Sequence, residues 1–226
     1  MSDNSDQRSE LLAYATEVAR AERVETVYDA MADAAAAIFD FSTAVVETES
    51  DGVLSVRAWS GRRPSVTGID VGEGIAGEVY QTGESEVVPD VEDDPASTNY
   101  QKAPRSVVTV PIGDVGIFQA GMDEPGSLDE ETLKLAELLA SHTFQAVQRI
   151  RSRQDVRERG RFRTLFEQAD DALVLYDTGV NAPATIEQAN GAAERIFEAT
   201  ESELRDQSLA ELVEADGGSL VPTGAT

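Results

Sequence analysis

Seven arginines within fifteen residues, Arg149-Ile-Arg-Ser-Arg-Gln-Asp-Val-Arg-Glu-Arg-Gly-Arg-Phe-Arg163, divide this chain before any fold is considered. Residues 1–148 hold 9 basic and 28 acidic groups, a net −19, and residues 164–226 hold 2 and 13, a net −11. The piece between them holds 7 and 2, a net +5. So dense a run of charge is too costly to desolvate in a core. A connector between two acidic bodies is therefore expected.

Composition narrows the chemistry. The chain has no cysteine, which excludes a disulfide framework, a thiolate metal site, a cysteine nucleophile and a thioether-held chromophore. The single histidine, His142, argues against a multi-histidine metal or haem site. No stretch approaches the ~20 consecutive apolar residues of a membrane helix. The acidic start Met1–Glu10 is the opposite of a signal peptide, so a cytoplasmic protein is expected. The formal charge is −25, and of the 18 basic residues only Lys102 and Lys134 are lysines. Such a field repels nucleic acid and anionic membranes and strains the folded state at low ionic strength. Acidity with so little lysine points to a halophile that keeps molar salt inside the cell.

Hydrophobic periodicity orders the first body. Leu11, Leu12, Ala15, Val18 and Ala19 in Glu10–Arg20, then Val24, Val27, Tyr28, Met31, Ala34, Ala35 and Ile38, follow helical spacing. Thr43–Thr48 and Val53–Trp59 are rich in β-branched residues and flank the turn Glu49-Ser-Asp-Gly52. Ser106–Ile112 and Val115–Met122 form a second strand pair, and Glu86–Val91 a further strand. Ser127 reads as the N-cap of a closing helix with acids in its first turn, running through Arg149 or on into the connector. Helices, antiparallel strands and a closing helix make an α+β pattern.

Between the strand pairs lies Val71-Gly-Glu-Gly-Ile-Ala-Gly-Glu-Val-Tyr-Gln-Thr-Gly-Glu-Ser-Glu-Val-Val-Pro-Asp-Val91. Gly72 and Gly74 permit a tight entry into a short helix, and Gly83 closes it with a left-handed cap. This run resembles the central signature of GAF domains. Arg105-Ser-Val-Val-Thr-Val-Pro-Ile112 looks like that family's fourth strand and Leu128–Ile150 like its final helix, so the resemblance covers about residues 8–150. Further on, Arg161–Asp177, Asn190-Gly-Ala-Ala-Glu-Arg-Ile-Phe197 and Glu201–Leu209 resemble the opening of a PAS domain, whose remaining three strands have no counterpart in the tail Ala215–Thr226. The expected organisation is a disordered tail at 1–7, a GAF-like domain at 8–148 and an arginine-rich helical connector at 149–160. A partial PAS domain at 161–214 and a disordered tail at 215–226 complete it. The fold class is α+β, a GAF-like antiparallel sheet flanked by helices, then a helical linker and an incomplete PAS-like unit.

The resemblance implies a sensory module, similar to haloarchaeal-type signal-transduction proteins, with a small-ligand cleft between sheet and short helix. The pocket candidates are Trp59, Ile75, Tyr80, Tyr100 and Thr109, each of which could equally be a core residue. Bilin attachment and methionine sulfoxide reduction both need cysteine. His142 reads as a structural helix residue. Leu133, Ala136, Ala140, Thr143, Val147 and Ile150, spaced 3, 4, 3, 4 and 3 apart, form a heptad seam. Either the seam pairs two chains in a parallel coiled coil that works as a signalling helix, or it packs on the domain's own sheet. The resulting expectation is a non-catalytic homodimer in a two-component pathway, responding to a small molecule and acting on a downstream kinase or response regulator. Direct contact with nucleic acid or membrane is not expected. The alternative is the input region of a sensor histidine kinase or of a GAF/PAS-containing transcriptional regulator.

Overall fold

The structure, a computed structural model, describes residues 4–39, 41–96, 104–178, 184–205 and 207–208. It divides into two compact units, Met1–Arg153 and Gln154–Thr226.

The first unit opens with α1 (Asn4–Arg20) and α2 (Val24–Phe39), followed by the hairpin β1 (Thr43–Ser50) and β2 (Val53–Gly61). Asp51 and Gly52 both take positive φ, +54° and +82°, as the tight two-residue turn requires. Then come β3 (Gly68–Asp70), α3 (Gly74–Thr82), β4 (Glu86–Val88), β5 (Ser106–Pro111), β6 (Gly116–Met122) and α4 (Glu130–Gln168). The six strands form one antiparallel sheet in the order β3-β2-β1-β6-β5-β4. On one face Val46, Ala58, Val110 and Phe118 meet Met31 and Ala35 of α2 and Leu139 and Val147 of α4. On the other, Leu54, Val107 and Ile117 meet Ile75, Ala76 and Val79 of α3. Both faces are therefore dry at their centre, which is why β1 is buried along most of its length rather than at alternate positions. β2 carries a bulge: Val46 pairs with Ala58 and Glu47 with Val56, leaving Arg57 as the extra residue.

Several expectations are corrected. Helix α1 reaches back to Asn4, so residues 4–7 are helix rather than tail. The strand expected over Glu86–Val91 ends at Val88, and β3 was not foreseen. Ser127 is not the cap of α4. Asp129 accepts from the Thr132 amide (2.9 Å) and hydroxyl (2.8 Å), whereas the Ser127 hydroxyl donates to Glu124 O (2.6 Å). The connector is not a separate element, because α4 runs unbroken for 39 residues through Gly160 and absorbs the expected PAS opening helix. The tail at 215–226 lies outside the described residues.

The heptad seam faces inward. Ala136, Ala140, Thr143, Val147 and Ile150 are all buried in the helix-side core of their own domain, and Leu133 packs at its edge. The Thr143 hydroxyl, the polar position of the seam, donates to Leu139 O (2.9 Å), touches the Tyr14 hydroxyl and lies 3.0 Å from Met31 Sδ. A 3–4 repeat marks any helix with one apolar side, and here the sheet and α1–α2 take that side. Arg149, counted with the connector, belongs to this unit as well: its guanidinium donates to Val18 O (2.7 Å) and Ala21 O (3.2 Å), capping the carbonyl end of α1.

In the second unit β7 (Val174–Asp177) pairs antiparallel with β8 (Thr185–Ala189), followed by α5 (Gly191–Phe197) and α6 (Glu201–Leu204). Its core is small: Ile186, Ala189, Ala193 and Leu204. Asn190 is fully buried and joins its pieces. Its Oδ1 accepts from the amides of Leu173 (2.9 Å) and Ala193 (3.0 Å), the latter capping α5. Its Nδ2 donates to Phe166 O and Asp171 O, both at 2.9 Å.

Candidate functional site

The face of the sheet under α3 carries the candidate cleft, and strand register says which side chains share it. Directly opposed residues of an antiparallel pair lie on the same face, and successive residues alternate. The row Trp59–Val45–Gln119–Thr109–Glu86 crosses five strands on the α3 side. Val56, Glu47 and Ile117 form the next row. Three of the five pocket candidates meet here: Ile75 is buried in the α3-side core, Tyr80 packs at its edge, and Thr109 is buried and accepts from Gln119 Nε2 at 3.0 Å. Trp59 shares the face but lies toward its margin, 44% exposed, with the Arg63 guanidinium 5.3 Å above its ring. Tyr100 lies outside the described residues.

The short helix is held against the sheet by a close approach of backbone to backbone. A Cβ at Gly77 would stand 2.5 Å from the Gly72 nitrogen, and Gly72 itself has φ +100°. At the other end Gly83, φ +70°, caps α3 as expected, its amide donating to Val79 O at 2.9 Å. Gly77→Ala is expected to push α3 from the glycine turn and to cost about 2 kcal/mol of stability, as overpacking against backbone does; chemical denaturation of the variant measures it. Beyond β4, Arg105 closes the Pro89-Asp90-Val91 end of the motif onto the start of β5. Its Nε lies 3.0 Å from Asp90 Oδ1, and these hydrogen bonds hold the Asp90 carboxyl below the usual carboxylate range.

The most unusual group on this face is one that the motif does not contain. Glu47, in the middle of β1, is only 5% exposed, and its Oε2 is buried with no hydrogen-bond partner. Burial pushes its pKa up to about 7. Glu86, at the edge of the same face, is also raised, by burial first and then by the charges of Asp94 and Glu78. Tyr80 reaches from α3 toward Glu49, with a long contact of 3.5 Å, and toward Asp114 O at 3.3 Å. Neither Glu47 nor Gln119 was singled out from the sequence. The signal was there in Ala44-Val-Val-Glu-Thr48, a charged residue inside an apolar run too continuous to have a wet face.

A separate groove of about 620 Å³ along α1 and the start of α2, lined by Leu12, Ala13, Thr16, Glu17, Arg20 and Thr26, shares no residue with this face. Among the described residues no helix is long and apolar enough to cross a membrane.

Comparison with known proteins follows the same division of the chain. A family model described as GAF domain matches residues 21–148, and one described as PAS domain matches residues 160–222. No curated protein matches. Among solved structures, the free methionine-R-sulfoxide reductase of Neisseria meningitidis superposes with a TM-score of 0.63 at 20% identity, over 67% of this chain and 95% of that one. The GAF domain of a phosphoenolpyruvate-protein phosphotransferase from Coxiella burnetii gives 0.61 at 18% identity, over 68% and 99%. The corresponding Acinetobacter domain gives 0.59 at 16%, over 66% and 96%. These likenesses are in fold. With the six-stranded sheet, the glycine-bounded α3 and a family match over more than half of its length, the chain belongs to the GAF domain family, its GAF domain followed by a region matching a PAS domain.

Proposed function

We propose that this GAF–PAS chain is a cytoplasmic sensory module that binds a small molecule between the sheet and α3 and passes its state along α4, without catalysis of its own. GAF and PAS domains together mark a sensory signalling module. The observation that carries the finer reading is the continuity of α4, whose first half lies in the GAF core while its second half leads into residues matched to the PAS domain. A helix has few ways to absorb a change at its base other than to shift as a unit, and such packed elements switch between discrete arrangements. Reductases stand among the structural neighbours, at 20% identity or less, a likeness that is one of fold.

Pairing with a second copy is part of the proposal, with a changed surface. The inward seam leaves Val156, Phe162 and Leu165 of α4, between half and about two thirds exposed, as apolar positions open to a partner helix. The low lysine content and the charge of −25 support operation in molar salt. A downstream kinase or response regulator is the proposed output partner. The second reading, an input region of a sensor histidine kinase or transcriptional regulator, is favoured by the succession of two sensory domain types along one chain.

Native mass spectrometry of protein purified from its own cells, in a volatile salt buffer, tests ligand and stoichiometry together. A bound small molecule on a two-chain species is expected. A ligand-free monomer at every concentration would contradict both parts.

A further inference from the structure

We infer that the cleft beneath α3 takes a small primary amine with a short aliphatic body, its ammonium group bound by the Glu47 carboxylate. This rests on the ligand-binding reading above and gives that ligand its chemical class.

Glu47 is placed for the purpose by the strand itself. Its neighbour Val46 faces the helix-side core, and its partner across the ladder, Ile117, lies in the α3-side cluster, so the carboxyl points to the cleft. An acid there without a partner costs the fold free energy: a buried polar atom left unpaired costs about 1–3 kcal/mol, more if charged. Among the described residues nothing repays this. From α3 the facing residues are Ile75, Ala76 and Val79, with Glu78 and Tyr80 at the margins. β6 offers Ile117 and Gln119, whose amide nitrogen is already given to Thr109 on β5. β4 offers Glu86, β1 offers Glu49, and the Arg57 guanidinium on β2 donates from Nε to Thr48 Oγ1 at 2.7 Å. Arg63 lies over Trp59 at the margin. Among the described residues the centre of the cleft thus holds acceptors and apolar groups and no cation.

That lining discriminates between ligands. A phosphate or carboxylate would meet Glu47, Glu49 and Glu86 with nothing to balance them, and like charges brought together in a poorly solvated site repel strongly. A neutral polar molecule could share a hydrogen bond with protonated Glu47 but would not use its charge. An ammonium supplies N–H donors to the orphaned oxygen and a charge to its carboxylate form, a pairing stronger than a neutral hydrogen bond. Leu54, Ile75, Val79 and Ile117, which pack on one another in the structure, would part to receive the aliphatic portion. The element that would have to lift for entry is α3, a nine-residue helix with positive-φ glycines at both ends, Gly74 at its first residue and Gly83 at its cap.

The proton is the signature of this assignment. The free protein holds Glu47 protonated below neutral pH, so an incoming cation must displace that proton. Affinity should rise about tenfold per pH unit between about pH 5 and 7 and level off above, with close to one proton released per ligand at pH 6. Isothermal titration in molar KCl, in two buffers of different ionisation enthalpy, measures both quantities. The probes are n-butylammonium, n-butanol, butyrate and tetramethylammonium, the last being a cation without N–H donors. Binding of n-butylammonium with this pH profile, at least tenfold weaker in Glu47→Gln and tenfold weaker for each of the other probes, is expected; circular dichroism verifies that the variant is folded. Absent binding, a flat pH profile, or equal binding to Glu47→Gln would overturn the assignment. Recovery of an anionic or neutral molecule bound equally to native protein and Glu47→Gln in mass spectrometry would overturn it too, while leaving the ligand-binding role of the cleft standing.

Discussion

Glu47→Gln should make the GAF domain more stable by about 3 kcal/mol at pH 8 and leave it unchanged at pH 4. In the folded protein the Glu47 carboxyl titrates near 7, against 4.5 for an unperturbed glutamate, so folding holds the proton more tightly than the unfolded chain does. Stability from this group is fully present below about pH 4.5, where both states are protonated. It falls as pH rises, because the unfolded chain ionises first, and the loss is complete once pH passes about 7. At about 1.4 kcal/mol per pH unit between those values, the loss comes to ~3 kcal/mol. Glutamine keeps nearly the same shape and never ionises, so it escapes the loss. Urea unfolding of both proteins at pH 4, 6 and 8 in constant molar KCl checks it. The difference should also persist across salt concentrations, since a buried group is screened far less than the surface acids that make up most of the −25 charge. A variant less stable than the parent at pH 8 would mean that the carboxylate form has a stabilising partner.

Asn190→Ala should unfold the second unit while leaving the first intact. Alanine removes the α5 cap, a loss of about 1–2 kcal/mol, and leaves the buried Phe166 carbonyl unpaired, at about 1–3 kcal/mol, while the part-buried Leu173 amide and Asp171 carbonyl turn to water. A total of about 4 kcal/mol is expected. The hydrophobic cluster it must be set against has four buried residues, of which two are alanines. Hydrogen exchange should show amides in Val174–Asp177 and Thr185–Ala189 losing protection while β1, β5 and β6 keep theirs. Unchanged protection in β7 and β8 would show that Asn190 is not what joins them.

What could be read in the residues was whatever depends on local spacing. The opening helices, both hairpins and the glycine-bounded α3 with its left-handed cap follow from period, turn chemistry and capping, which are properties of neighbours in the chain. The asparagine at the start of α5 was legible through the resemblance to PAS domains. What escaped depends on partners far away. The Leu133–Ile150 seam has the same repeat whether its partner is a second chain or its own sheet, and only burial distinguishes the two. Asp129 and Ser127 are both competent caps; Ser127 is taken by Glu124 and Ser106, which β5 and β6 bring to it. β3 has three residues, too few to show a period. That Ile75, Tyr80 and Thr109 share the α3 face was legible through the family motif and strand pattern. Glu47 was missed because an acid in a strand is ordinarily assigned to the wet face, and β1 has none at that point.

The bulge at Arg57 has a consequence for parity. Up to Val56 the even-numbered residues of β2 look toward α3, as Leu54 does; after Arg57 the even-numbered Ala58 looks toward α2 and α4. An uninterrupted strand would send Leu54, Val56 and Ala58 to one side. The one surplus residue lets β2 contribute to two cores in succession, and deleting Arg57 should leave a regular ladder in which Ala58 stays opposite Val46, Val56 opposite Glu47 and Leu54 beneath α3. What the deletion would remove is the side chain the bulge carries, whose Nε donates to Thr48 Oγ1.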